Sequence, residues 1–582
     1  MQEKTKKRDL YLSAGLTIVL LIFVGLFFDY YYELNDDVWV QEILSGRYTG
    51  APSAHAVQLH YLLGLLLSAV YCVFGKLPVF GIFLLGMQYF CIAVFIYEVL
   101  QVAKCSSAIK NVLAGLLALL AIYGLFGSHL VEITYTVTAA LLGATACFVA
   151  ICHQQTRAKA ILIITFVVVG YNLRSEMMLL LLPLLICCLI YSYISAADII
   201  YTRMLRAGNG GKSLSKEERK NILLYYVRIV IVIFTLLLVS EGINRISNSS
   251  EEWTKYVSFF DDRTTVYDFT GIPDYGSNSE AFEQMGFDRS EYELLMNYDF
   301  GLDEKIDSAF MKRLVELSPK YKGSVATIKH YMLHSQPARY AIPVILLYIL
   351  ITIFICIDKT GDYKVKLLGI IFGPGMILVV RMMLWSFILY RGRYPDRITH
   401  SLYIAEIFIL LGMLLWQMQK VKTKGAWQIV LIVFILCTVM ELVVGTRQTL
   451  YVNEKEAKNA QNYKVLTDYC NSRPDNFYFW DVYSTVGFVR PVLELGNPVS
   501  NYDIMGGWLN KSPLTEEKMN LFGISSMESG LLQDGVYMIY NPKETLEWLY
   551  AYYEGKGYSI EISNIETINE DFCVLKLDRI YR

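Results

Sequence analysis

Charge is scarce in this chain. Asp, Glu, Lys and Arg make up 18% of its 582 residues, against 54% for the apolar and aromatic types. So little charge cannot coat a soluble enzyme of this length, yet it interrupts the apolar sequence too often for a simple anchor. The charges nearly cancel, at a net −2, which gives no reason to invoke nucleic acid as a partner. A glycine-rich phosphate loop and a Cys/His metal spacing are both missing, as are internal repeats and low-complexity tracts. What remains is an α-helical polytopic membrane protein. Its 43 Tyr and 29 Phe suit interfacial belts and sugar-facing loops alike.

Eight of the 11 cysteines (Cys72, Cys91, Cys147, Cys152, Cys187, Cys188, Cys356 and Cys437) fall in apolar runs, where the residue acts as a small hydrophobe. Cys105 sits in a short charged loop. Cys470 and Cys573 share a soluble segment and are the pair open to a disulfide. Lys4, Lys6, Lys7 and Arg8 precede the run Leu10 to Phe28, which ends in Phe27-Phe28-Asp29-Tyr30 without a small-residue cleavage site. It therefore reads as a retained span with the N-terminus in the cytoplasm.

A span needs roughly 20 apolar residues. After the first, spans are expected at about Val79 to Val99, Asn111 to Phe126, Ile133 to Cys152, Ala160 to Asn172, Met177 to Ile194 and Ile222 to Ser240. Four more follow at Arg339 to Ile357, Lys366 to Tyr390, Ser401 to Met418 and Ala426 to Val444, about eleven in all. The run 57–75 is expected to lie along the outer surface. With that choice one set of loops holds 16 Lys and Arg and the opposite set holds Lys76, Arg174, Arg391, Arg393 and Arg397, the asymmetry that the positive-inside bias demands. The domains are then a membrane half, 1–444, with external loops 29–56 and 241–338, and an extracytoplasmic α/β domain, 445–582. Strands are expected at Asn476 to Val482, Gly535 to Tyr540, Tyr558 to Ile562 and Phe572 to Leu577, with helices near Glu454 to Cys470 and Lys543 to Tyr553. In the large loop, helices are expected at Glu304 to Leu317 and Tyr321 to His334. Gly208 to Ser215 reads as a flexible cytoplasmic linker.

Candidate chemistry collects on the outer side. The loop Asp29 to Ala56 carries Asn35-Asp36-Asp37, an acidic turn or a helix N-terminus in which Asn35 or Asp36 serves as cap. Adjacent Asp side chains diverge, so one would act as base and the other would organise the site. Arg391-Gly-Arg-Tyr-Pro-Asp-Arg397 puts Arg391, Arg393 and Arg397 where basic residues are rare, beside Tyr394 and Asp396. An Arg fork suits phosphate oxygens, and pairing with Asp396 and lipid headgroups is the plainer role. Arg381 lies mid-span and should point to a carboxylate, a phosphate or water. Arg174 and Glu176 close a short span as an ion pair or line a cavity, and Glu132 follows Ser128-His-Leu-Val. His55 and His60 flank the start of the surface run, while His330 and His334 are spaced i, i+4 without a matching carboxylate. Several carboxylates converging outside would suit a divalent cation such as Mg or Mn.

An Asp pair in the first outer loop, the surface run behind it and the large loop after the seventh span resemble the GT-C fold glycosyltransferases, of the protein mannosyltransferase and aminoarabinose transferase type. The resemblance covers residues 10 to 444. It implies an inverting enzyme of a bacterial cell membrane that moves a sugar from a polyprenyl-phosphate carrier to an extracytoplasmic glycan or lipid-linked acceptor. It favours Asp36 over Asp37 as the base and gives the arginines the donor phosphate. Two alternatives stand beside it. One is a polymerase or ligase of lipid-linked glycans, whose mark would be an Arg-rich, His-containing late outer loop. The other is a lipid or polysaccharide transporter, whose ionisable groups would sit near the midplane.

Overall fold

The computed structural model describes residues 2–103, 107–152, 156–196, 214–318, 320–357, 363–420, 424–487 and 489–580. Cys105 and most of the expected linker Gly208 to Ser215 lie outside the described residues. Among the described residues, nine helices are long and apolar enough to cross a membrane: Glu3–Phe27, Val79–Ala103, Ala108–Val131, Ser175–Ala196, Lys216–Ser247, Ala338–Ile357, Tyr363–Arg391, Asp396–Met418 and Val430–Asn471. With the composition, these make the chain a helical membrane protein. The two other expected spans are the helices Tyr135–Ile151 and Arg157–Leu173, of 17 residues each.

Every residue of Tyr135–Ile151 is buried. A helix that is apolar all round belongs inside a bundle, and the small residues Ala139, Ala140, Gly143, Ala144 and Ala146 let its neighbours approach closely. The helix Tyr61–Val73 begins four residues later than the expected surface run. At about 1.5 Å per residue its 13 residues reach only about 20 Å, too short to span.

The composition changes at Gly445, but the chain does not turn there. One helix of 48 residues, Lys424–Asn471, runs straight across the expected domain boundary. The reason is packing. Gly445 lies against the backbone of Gly124 in the helix Ala108–Val131, where a Cβ would overlap the Gly124 carbonyl, so this glycine serves a helix contact and not a helix end. Overpacking of this kind costs about 1–3 kcal/mol. Gly445→Ala is therefore expected to lower the midpoint of thermal unfolding in detergent, and an unchanged midpoint would show that the contact is loose.

Beyond the long helix lies a five-stranded sheet of strands β3 (Phe477–Trp480), β4 (Tyr502–Ile504), β5 (Val536–Tyr540), β6 (Ser559–Thr567) and β7 (Cys573–Ile580) in the order β4-β3-β5-β7-β6. The first three run parallel, and β7 runs antiparallel to both of its neighbours, β5 and β6. Four strands fall where the sequence places them. The short β4 was not expected. Its Tyr502 stacks on Trp480 with ring centroids 4.2 Å apart. Cys470 and Cys573 are separate buried thiols, contrary to the disulfide considered above; the Cys573 Sγ–H donates to the Tyr540 carbonyl instead.

The segment after Lys216–Ser247 forms helices Glu251–Thr264, Tyr275–Gln284, Arg289–Met296, Ser308–Leu317 and Val325–His330. Its Phe259, Phe287, Phe300 and Phe310 share one apolar core with Phe479, Met538, Leu549 and Leu575 of the sheet region. The large loop and the C-terminal residues thus build a single cap.

Candidate active site

The cap closes over a cavity of about 700 Å³ at the ends of several apolar helices. Asp36, Arg174, Glu176, Arg391, Arg393 and Arg397 all line it, together with Arg263, Asp268, Tyr298, Tyr483 and Trp508. Three remote segments therefore meet: the first loop, the short connections between helices, and the cap.

Strand β1 (Tyr31–Tyr32) pairs in parallel with β2 (Glu132–Ile133), which fixes the first loop against the start of the buried helix. The helix Asn35–Ser45 follows, capped at Leu34 by no side chain and ended at Gly46 with φ 77, a conformation glycine adopts without strain. Neither Asn35 nor Asp36 serves as its cap, because both lie inside the first turn. Successive side chains on a helix diverge by about 100°, and the two aspartates separate accordingly. Asp36 reaches the cavity, and among the described residues its carboxylate makes no hydrogen bond and no ion pair within 4.0 Å. Asp37 is fully buried and accepts the Tyr135 N–H at 3.0 Å. Burial pushes its carboxyl well above the usual range, with the Tyr135 N–H opposing and Asp36 and Glu33 adding to the rise. Asp37 thus organises the loop and does not face the cavity.

Opposite Asp36 stand the arginines. Arg174 donates to Gln58, pairs with Glu176 at 3.2 Å and lies over the Tyr135 ring. Burial opposes its charge, but Tyr135, Glu176, Asp36 and Asp37 hold its pKa above the ordinary value. Arg393 pairs with Asp268 from the large loop. Burial, then the guanidinium groups of Arg397 and Arg174, push the Arg393 value down to about 10, with Asp36 opposing. Arg391 lies 3.7 Å over the Phe269 ring, and its Nε is buried without a hydrogen-bond partner. Arg397 is 3.8 Å from Glu33. The pairing with Asp396 considered above is not formed, since the Asp396 side chain is 87% exposed and faces His400. Tyr394 packs on Tyr331 outside the cavity lining.

The remaining candidates lie elsewhere. Arg381 pairs with Glu406 at 2.7 Å inside the apolar bundle, so the partner it required is a carboxylate. His55 stacks on Trp253 and meets Asn248 at 3.1 Å. His60 approaches Ser240 and Glu241 against Tyr171. His330 and His334 meet as rings 5.6 Å apart. The large loop supplies Arg263, Asp268 and Tyr298, none of which stands out in sequence, because mixed charge is ordinary in a soluble segment.

For a divalent cation, the donor set decides. Glu176 is tied to Arg174 and Asp268 to Arg393, and among the described residues no group of three or more His, Cys, Asp or Glu comes together to hold a metal ion. The residues present do not fit such a cation.

Behind Arg397, Glu33 and Glu132 gather with Lys455 and Glu456. Burial pushes Glu33 up to about 7, against Arg397 and Lys455. Burial and then Glu33 push Glu132 up to about 8, against Lys455. Both values exceed the 4.5 of an unperturbed glutamate, so the folded chain holds these protons more tightly than the unfolded one. Their stabilisation is full below pH 4.5 and is lost as pH rises through about 7 and about 8. The thermal midpoint should fall across that window, and Glu132→Gln should flatten the upper part of the decline. A profile identical to wild type would remove Glu132 from the cluster.

Comparison of the chain with protein-family models, with curated proteins and with solved structures finds no match, so the functional reading rests on the residues and the geometry just described.

Proposed function

We propose that this protein is an inverting membrane glycosyltransferase that moves a sugar from a polyprenyl-phosphate carrier to an extracytoplasmic glycan or lipid-linked acceptor. The observation that carries the reading is one cavity holding an unpaired carboxylate, Asp36, together with Arg174, Arg391, Arg393 and Arg397. Arg393, whose charge is opposed by burial and by Arg397 and Arg174, gains most from an anion placed among them. The wall also includes Leu180, Phe387 and Ile388, so an apolar chain can leave beside the arginines while its phosphate stays between them. Phe387 is 53% exposed on the outside of the bundle.

In this reading Asp36 accepts the proton of an acceptor hydroxyl as that oxygen attacks C1 of the sugar. The C1–O bond to the phosphate breaks, its electron pair stays on the leaving oxygen, and the arginines stabilise the charge that develops there. Attack opposite the leaving group inverts C1. Tyr298, Tyr483 and Trp508 provide ring faces on the cap side for a sugar or an acceptor.

The test is consumption of polyprenyl-phosphate sugars by the full chain in proteoliposomes containing crude membrane glycolipid as acceptor. Wild type should release polyprenyl phosphate from one of a set of glucose, mannose, galactose and N-acetylglucosamine donors, and Asp36→Asn should not. Release that is equal in both proteins, or absent in wild type for every donor, would defeat the reading.

A further inference from the structure

We propose that a second cavity, of about 340 Å³ between the long helix and the 490–502 segment, is a subsite for an uncharged sugar residue of a glycan. Its volume falls in the range of ligand-binding pockets, roughly 300–1,000 Å³.

The buried side is aromatic: Tyr31, Tyr463 and Tyr502 are each less than 7% exposed and line the cavity. Amide side chains join them, Gln461 and Asn471 from the long helix and Asn497 from the facing segment. Amides offer a donor and an acceptor on one planar group, which suits the paired hydroxyls of a sugar, while tyrosine faces suit its C–H surface.

Charge argues against an anion. Lys464 is matched by Asp468 at 2.9 Å, and Arg490 by Glu42 at 2.5 Å. The cavity therefore lacks the cluster of like-charged guanidinium groups seen around Asp36. Arg490 is itself buried and lines the cavity from the facing segment.

The two cavities share a wall. Trp39 and Ile504 line the first, while Tyr502 lines the second, and the rings of Trp39 and Tyr502 are 6.4 Å apart. Glu42, on the same helix as Asp36, reaches Arg490. A glycan held in the second cavity would thus be anchored across one helix and one strand from the first. Binding there does not require sugar transfer at Asp36, so this inference and the transferase reading fail separately.

The experiment is saturation-transfer NMR on the full chain in lipid nanodiscs, with methyl glycosides of glucose, galactose, mannose, rhamnose and N-acetylglucosamine as probes. At least one should give a signal that survives saturation with undecaprenyl phosphate, which would occupy the first cavity. Ala457→Trp fills the rim from an exposed position, and Gln461→Ala removes an exposed amide. Each should weaken that binding about tenfold or more at unchanged thermal midpoint. The inference is overturned if no glycoside gives a signal, if the signal is displaced by undecaprenyl phosphate, or if it persists in both variants. Binding of inorganic phosphate or of tetra-alanine in place of the glycosides would also overturn it.

Discussion

Asp36→Asn should lower the rate of the proposed sugar transfer by about 10² to 10⁴-fold, the usual worth of a positioned general base. The loss belongs in kcat. Removing a carboxylate from a cavity lined by five arginines takes away a competitor for the donor phosphate, so donor affinity should be unchanged or tighter. Asp37→Asn provides the contrast. Asp37 accepts one backbone N–H, and burial pushes it towards its neutral form, so an amide oxygen can do the same work. Its turnover should stay within a few-fold of wild type. Single-turnover transfer by the two variants decides the matter, and an Asp36→Asn rate within about threefold of wild type would strike Asp36 from the mechanism.

Glu406→Ala should be the most damaging single change in the membrane half. It leaves Arg381 charged within the bundle, beside the rings of Trp385 and Tyr403, with Gln336 as its remaining polar partner. Breaking a buried ion pair from one side costs about 3–5 kcal/mol, whereas replacing both partners with apolar side chains is often neutral. The double variant Arg381→Leu/Glu406→Leu should therefore recover most of the lost thermal stability in detergent. A result in which Arg381→Leu alone keeps full stability yet no longer binds undecaprenyl phosphate would instead return Arg381 to the phosphate clamp.

Much of the lining was legible because charge is so rare in this chain. Arg391, Arg393 and Arg397 stand out in a short loop on the side where basic residues are few, and Asp36 stands out directly after the first apolar run. The same contrast drew in Arg381, Asp396 and Asp37, since a sequence shows that a charge is unusual but not which neighbour satisfies it. Only three dimensions give Glu406 to Arg381 and the Tyr135 N–H to Asp37. Arg263, Asp268 and Tyr298 were invisible for the opposite reason, lying in a segment where charge and aromatics are common. The strands of the sheet were readable from period-2 runs, all but β4, whose three residues are too few to show a period. The change of composition at Gly445 marks an expected domain boundary but not a helix end, because Gly445 answers to its contact with Gly124.

The cavity is bounded by residues from Asn35 to Leu509, and this bears on biosynthesis. At about 5–20 residues per second, translation separates the first wall from the last by on the order of a minute. Until Val482 to Leu509 are made, Asp36 and the arginines lack one side of their enclosure. The cavity is therefore complete only when the last quarter of the polypeptide has left the ribosome and docked. A ribosome that stalls or drops off before then leaves a bundle whose cavity lacks the wall from Val482 to Leu509.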